Sequence, residues 1–365
     1  MDAENDTFPK LSLNENTQTA KKPSLGKKII WIQLVVFLLG FGLLIYVLYK
    51  AGLSNLTETI SRVGWGFVFI VFLNGLRHFL RASCIYLIVP PEHRLFNFSQ
   101  ALAARLGGEA VSVVTFTGPF LGDATKAALL KKNIPLSHGG AAIIVDNILY
   151  YISVVAMILG GVIALSLSYN GVKSLTSSLI IVTVISSLVL TAMILMLWFR
   201  FKPLGFAIRR LAKHDLVPKF LDKRKETIFK LEENVYQFYL HHRATFFAVF
   251  GINLTAHILS VGEVYAVLHL LDFSPTLTNA FIIESLTKVI NLAFSFVPGA
   301  IGVYEGGNGV ILNILGFTTA TGIALALVRR GAILFWTLIG LLVLLWRTTL
   351  DGKQEFLKRA VNRNS

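Results

Sequence analysis

The sequence has one cysteine, Cys84, among 365 residues. A lone thiol excludes an internal disulfide and any cysteine-built metal site, and its ordinary use is as a small buried hydrophobe. Charge is scarce too. Asp, Glu, Lys and Arg make up 15 % of the chain, against about 25 % in soluble proteins. Acids are the scarcer sign, 20 against 34 Lys+Arg, for a formal net charge of +14. In their place stand 54 % hydrophobic residues, 27 Phe and a mean hydropathy of +0.66. A water-soluble chain of this make-up would expose large apolar patches and aggregate. An ordinary cytosolic enzyme is excluded, and so is a disordered or fibrous chain. The positive excess would suggest nucleic acid in a soluble protein. Here the cations gather at the ends of apolar runs, as in cytoplasmic loops of membrane proteins, so no nucleic-acid partner is expected.

The apolar residues fall in runs long enough to cross a bilayer. Six full spans are expected: Ile29–Tyr49, Trp65–Val89, Gly139–Ser168, Leu175–Phe199, Thr245–Leu271 and Thr321–Trp346. The first lacks a cleavage pattern and reads as an anchor, not a secretory signal. Residues 1–28 read as a disordered cytoplasmic tail, 29–348 as the membrane domain and 349–365 as a basic cytoplasmic tail. Residues 200–230 hold ten Lys/Arg against three acids, which with Lys27, Lys28 and Arg347 places both termini and loop 200–243 inside, in the plasma membrane. Loop 200–243 mixes Phe201, Phe206, Ile208 and Leu211 with its charges. It reads either as an amphipathic segment on an anionic leaflet or as a plain positive-inside loop.

Two further apolar stretches, Phe98–Phe120 and Leu277–Val297, carry internal charges and run into Pro-Gly breaks. The charge rule closes only if both enter and leave on one side, as re-entrant hairpins. They also match each other. Arg105 and Glu109 lie 14 and 10 residues before Pro119, and Glu284 and Lys288 lie 14 and 10 before Pro298. Past each break an acid follows: Asp123 after Gly122, and Glu305 after Gly299 and Gly302. Asp146 is then 23 residues beyond Asp123, and Arg329 is 24 beyond Glu305. The expected fold is therefore all-α: a polytopic helical membrane protein, six full spans plus two re-entrant broken-helix hairpins in an inverted repeat. Such repeats with broken helices are a recurring design of secondary transporters.

Charges inside spans are costly, at least about 2.5–3.5 kcal/mol each, and mark functional sites by default. Asp146 lies about 12 Å along its span and Arg329-Arg330 about 13–15 Å along theirs, so Asp146 is expected to pair with Arg329 or Arg330, as a bundle lock or a gate. Arg105/Glu109 and Glu284/Lys288 are i,i+4 pairs that either close on themselves or cross-pair between hairpins. Asn74, Arg77, His78 and Arg81 share a face; the two arginines either snorkel to the membrane surface or cradle a lipid phosphate. His257, near Asn253 and Ser260, reads as a packing residue or a proton relay. A helix beginning near Tyr304 would aim free N–H groups into the break, unless Glu305 caps it. No metal site, cofactor motif or catalytic motif is evident.

The pattern Pro119-x-x-Gly122-Asp123-x-x-Lys126, the run Pro298-Gly299-Ala300-Ile301-Gly302-Val303-Tyr304-Glu305, and Gly316 followed by an Arg329-bearing span carry a resemblance. Over about 29–348 the chain resembles the flippase-like membrane family that includes the transmembrane region of bacterial lysylphosphatidylglycerol synthetases. The resemblance implies lipid translocation, with isoprenoid-type or aminoacylated lipids among the family's associations. The synthetases carry a large soluble transferase domain; this sequence runs only to Ser365, so aminoacyl transfer is not expected. The expected activity is transport of an anionic or isoprenoid-type lipid. A membrane enzyme of lipid-linked glycan synthesis, or a scaffold for such enzymes, is the alternative. Membrane lipids are the expected partners, with Arg77, Arg81, Lys126, Arg329 and Arg330 attracting the headgroup and Asp123, Asp146 and Glu305 gating it.

Overall fold

The computed structural model describes residues 58–361, apart from 60, 116–117, 132, 169–175, 213–224, 296, 298–299 and 301. The N-terminal tail and the expected span Ile29–Tyr49 lie outside the described residues, as do Pro298 and Gly299. Among the described residues the chain is helical and has no strand. The helices are α1 Gly66–Ile88, α2 Phe98–Val114, α3 Pro119–Leu130, α4 Leu136–Ser168, α5 Thr176–Trp198, α6 Pro203–Ala212, α7 Lys225–His241, α8 Arg243–Leu270, α9 Leu277–Ala293, α10 Val303–Ile314 and α11 Thr319–Val361. Five of them (α1, α4, α5, α8 and α11) are long and apolar enough to cross a membrane. They match the five expected spans that fall on described residues, so the chain is a polytopic helical membrane protein.

Both apolar stretches with internal charges break as their sequences predict. Asn97 caps α2, exchanging side-chain and backbone bonds with Gln100, and α2 ends at Val114. Gly118 then takes φ +47°, a left-handed conformation that favours glycine, and Pro119 opens α3 at the position where its missing N–H costs nothing. In the second hairpin Thr276 caps α9, the chain breaks after Ala293, and Gly302 at φ +77° leads into α10.

The helices before, within and after each hairpin pack as two matched sets. Set one is α1, the hairpin α2–α3 and α4; set two is α8, the hairpin α9–α10 and α11. α2 packs on α11 as α9 packs on α4, α1 on α11 as α8 on α4, and α1 lies along α8. That last pair runs antiparallel. Gly66 meets Leu270 at one end, Arg81 bonds Asn253 midway, and the Cys84 thiol meets the Val249 carbonyl beyond it. An antiparallel match between leading helices is what an inverted repeat requires.

Apolar side chains form two large cores, with a smaller cluster at Val154, Ile158 and Val162. One large core gathers Ile85, Ile88, Ala101, Leu130, Leu149 and Val249; the other gathers Ile70, Leu165, Leu268, Ile283, Leu312 and Val328. Between these cores α1 turns Asn74, Arg77, His78 and Arg81 inward, and α8 turns Asn253, His257, Ser260 and Glu263. A polar belt thus lies between two greasy ends, while Phe69, Phe72, Ile180 and Leu188 face outward.

Among the described residues the basic loop holds the helices α6 and α7. Glu232 of α7 is buried and accepts hydrogen bonds from the Leu204 and Gly205 amides at 2.7 and 2.8 Å, capping α6 across space. Tyr236 donates to the Phe201 carbonyl, and Lys202 bridges to Glu233. Hydrogen bonds from Lys202 and Gln237 lower the Glu233 carboxyl from its ordinary pKa. This bridge therefore contributes fully above the ordinary carboxylate range and is lost as pH falls through the lowered value.

Candidate functional site

A cavity of about 340 Å³ opens inside the polar belt, between the two hairpins. α1 supplies Asn74, Arg77, His78 and Arg81; α2 supplies Arg105 and Glu109; α4 supplies Tyr150. From the second set come His257 and Glu263 of α8, Glu284 and Lys288 of α9, and Arg329 and Arg330 of α11. Gly118, Pro119, Phe294 and Ser295 bring both elbows to the same wall. The elbows touch: a Cβ added at Gly118 would sit 3.3 Å from the Ser295 carbonyl oxygen.

The buried charges are paired, and the two sets hold the same bridges with reversed polarity. In set one, Arg81 of the leading helix bonds Asp146 of the trailing helix at 2.9 Å. In set two, Glu263 of the leading helix faces Arg329 of the trailing helix at 3.4 Å. Within the hairpins, Arg105 meets Glu109 at 2.9 Å and Glu284 meets Lys288 at 2.7 Å. Glu284 also holds Arg329 at 2.8 Å, and Glu263 holds Arg77 at 2.9 Å. The run Lys288–Glu284–Arg329–Glu263–Arg77 alternates in sign and joins α9, α11, α8 and α1. A third matched contact ties each hairpin's second arm to the trailing helix. Asp123 accepts from Asn147 at 2.5 Å and also holds Lys126, while Glu305 pairs with Arg330.

Several sequence expectations are corrected by this geometry. Asp146 does not pair with Arg329 or Arg330, because α1 lies between and offers Arg81 first; the Arg81 guanidinium also covers the Tyr150 ring at 4.1 Å. Arg81 does not snorkel to an end: it is buried, and Asn253 accepts a further hydrogen bond from it. The i,i+4 pairs close on themselves and do not cross between hairpins. Lys126 is absent from the cavity wall; its stem lies against Gly108, and the Lys126–Asp123 pair holds α3. Gly122 is a packing position, since an added Cβ would sit 2.5 Å from the Gly108 carbonyl. Glu305 both caps α10, accepting from the Gly302 amide at 2.8 Å, and pairs with Arg330, so that amide is not free for a ligand.

Three features escaped the sequence reading. Glu263 sits in a span otherwise read through His257, yet it is 1 % exposed and takes two arginines. A lone acid in an apolar run was the available signal. Asn253 and His257 follow Asn74 and His78 at the same chain separation by which Pro298 follows Pro119, so the repeat extends into the leading helices. The structure gives these histidines matched places. His78 packs on Trp336 of α11, and His257 bonds Ser153 of α4 at 2.9 Å. Ser153 donates to the Tyr150 carbonyl, so its oxygen accepts from the His257 Nε2–H.

Removing one member of a buried ion pair costs about 3–5 kcal/mol, because the partner is left charged and dry. Asp146→Asn is expected to cost about 3 kcal/mol on that basis, and Arg81→Met with Asp146→Leu to recover most of the loss. Thermal melts in detergent check this. Equal melting of the single and double variants would remove the coupling.

Searches against curated proteins and against solved structures gave no match. A family model described as the lysylphosphatidylglycerol synthase TM region matches residues 30–340. That span takes in both matched sets up to residue 340 of α11, both elbows and every cavity-lining residue named above, and the chain belongs to this lysylphosphatidylglycerol synthase TM-region family.

Proposed function

We propose that the protein is a lipid transporter that moves an anionic or isoprenoid-type lipid across the bilayer, its headgroup passing through the cavity between the inverted repeats. One observation carries this reading: six basic side chains drawn from both sets line the cavity against three acids, Glu109, Glu263 and Glu284. A polar space this rich in cations, enclosed by apolar helices, suits a phosphate-bearing headgroup whose chains stay in lipid. Arg77 has the most open guanidinium of the inner ring, with 26 % of its side chain exposed, and Arg105 keeps an unpartnered Nε. These two make first contact with the headgroup. Touching elbows and ion pairs that bridge leading to trailing helices supply elements able to part on one side while holding on the other. The chain performs no chemical step in this scheme and needs no cofactor. It resides in the plasma membrane with both termini cytoplasmic, as the Lys/Arg distribution supports, beside the enzymes that make its lipid.

Reconstitution in vesicles carrying labelled lipids tests the proposal. Transbilayer movement of anionic or isoprenoid-phosphate lipids is expected to exceed that in protein-free vesicles and to fall in Arg77→Gln, with zwitterionic lipids little moved. Movement no faster than in empty vesicles across a broad lipid panel would overturn it.

A further inference from the structure

The amphipathic helix α6 has no place in the transport scheme. It buries only Gly205, against α7, and Ile208, and leaves Leu204, Phe206 and Leu211 exposed. Leu204, Ala207 and Leu211 fall on one helical face, and Arg210 flanks that stripe, while Arg209 points to the other side, over the Phe229 ring of α7. α6 contains no acid. Its position is set by the span before it. α5 ends at Trp198, Arg200 turns the chain with φ 52°, and α6 begins at Pro203, so the helix starts at the membrane surface. Trp198 and Phe199 are exposed beside it. Its attitude is fixed by the Glu232 cap and the Tyr236 and Lys202 contacts to α7. α7 in turn presses Leu231 on Gly140 of α4 and places Val235 and Phe238 in the core with Ala141 and Val145. The next residue of α4 is Asp146.

We infer that α6 is an interfacial foot that docks on an anionic lipid leaflet, its leucines in the acyl boundary and Arg210 on a lipid phosphate, linking leaflet charge through α7 to the α4 wall of the cavity. An apolar stripe flanked by a cation, on a helix without acids at the end of a span, is complementary to that surface. A neutral bilayer would satisfy the leucines but not Arg210.

The test uses the full chain in nanodiscs of phosphatidylcholine alone or mixed with phosphatidylglycerol, with hydrogen exchange read across residues 203–212. Exchange is expected to be slower in the anionic discs by on the order of ten-fold. High salt should erase the difference, and so should Arg210→Gln, which leaves the Glu232 cap and the Arg209 contact to Phe229 intact. Unchanged exchange in α1 and α9 certifies that the variant is folded. Equal exchange in both discs overturns the inference. So does protection that follows the number of chains per disc, which would mean that a second copy covers the helix, or protection that appears only when a soluble protein is added. The readout is docking, so its outcome stands apart from whether lipid crosses the bilayer.

Discussion

Glu284→Gln is expected to lower stability by about 3–5 kcal/mol and the melting temperature by on the order of 10 °C. The change is isosteric, so packing is kept and the charge alone is removed. Glu284 is 1 % exposed and serves two cations, Lys288 at 2.7 Å and Arg329 at 2.8 Å. Arg329 retains Glu263 at 3.4 Å. Lys288 keeps no other carboxylate bridge among the described residues and is left dry without a counter-charge. The double change Glu284→Gln with Lys288→Gln should therefore melt above the single change. The alternating network also loses one of its two anions, so lipid movement should fall in vesicles even where folded protein is recovered. A Glu284→Gln protein that melts with the wild type would show that the network holds nothing.

The second large effect is steric. A Cβ on Gly322 of α11 would sit 2.3 Å from the Asn308 carbonyl oxygen and 2.6 Å from both the Asn308 carbonyl carbon and the Gly309 Cα. All three are backbone atoms of α10, so no rotamer change relieves the clash. Overpacking of this kind costs about 1–3 kcal/mol and more where the backbone itself must move; Gly322→Val is placed at or above the top of that range. The displaced helix carries Glu305, which clamps Arg330, and Asn308, which accepts from Thr287 of α9 at 3.0 Å. The second elbow should loosen with it. Gly306→Ala in the same helix is the control: nothing lies within 4 Å of its Cβ, and helix propensity favours alanine by about 1 kcal/mol. If both variants melt alike, close approach of α10 and α11 is not what holds the second hairpin.

The spans and the breaks were legible because their signals are local. Runs of apolar residues, Pro119 after a glycine, and acids past each elbow need no partner to be read. The matched charge register also announced the repeat, since Arg105 and Glu284 stand at equal distances from their prolines. Partner choice was not legible. Asp146 and Arg329 have matching depths, and depth along a span says nothing of azimuth; the antiparallel seam between α1 and α8 decided which side chains meet. The snorkelling reading of Arg81 failed for the same reason, since Asn253 and Asp146 come from helices distant in sequence. Glu263 was overlooked because a single acid in an apolar run has no pattern around it. The Asn-x-x-x-His repeat of α1 and α8 is present in the sequence, but it lies upstream of the hairpins, where no proline or paired charge marks the register.

The reversal of sign between the sets has a consequence for how such a molecule can be assembled. Arg77–Glu263 is the ion pair that crosses from one set to the other among the described residues, and by the repeat Cys84 stands in the first set where Glu263 stands in the second. Two first halves brought together would offer Arg77 a thiol in place of a carboxylate. Expressed as separate polypeptides, each half should recognise its complement and reject its own kind.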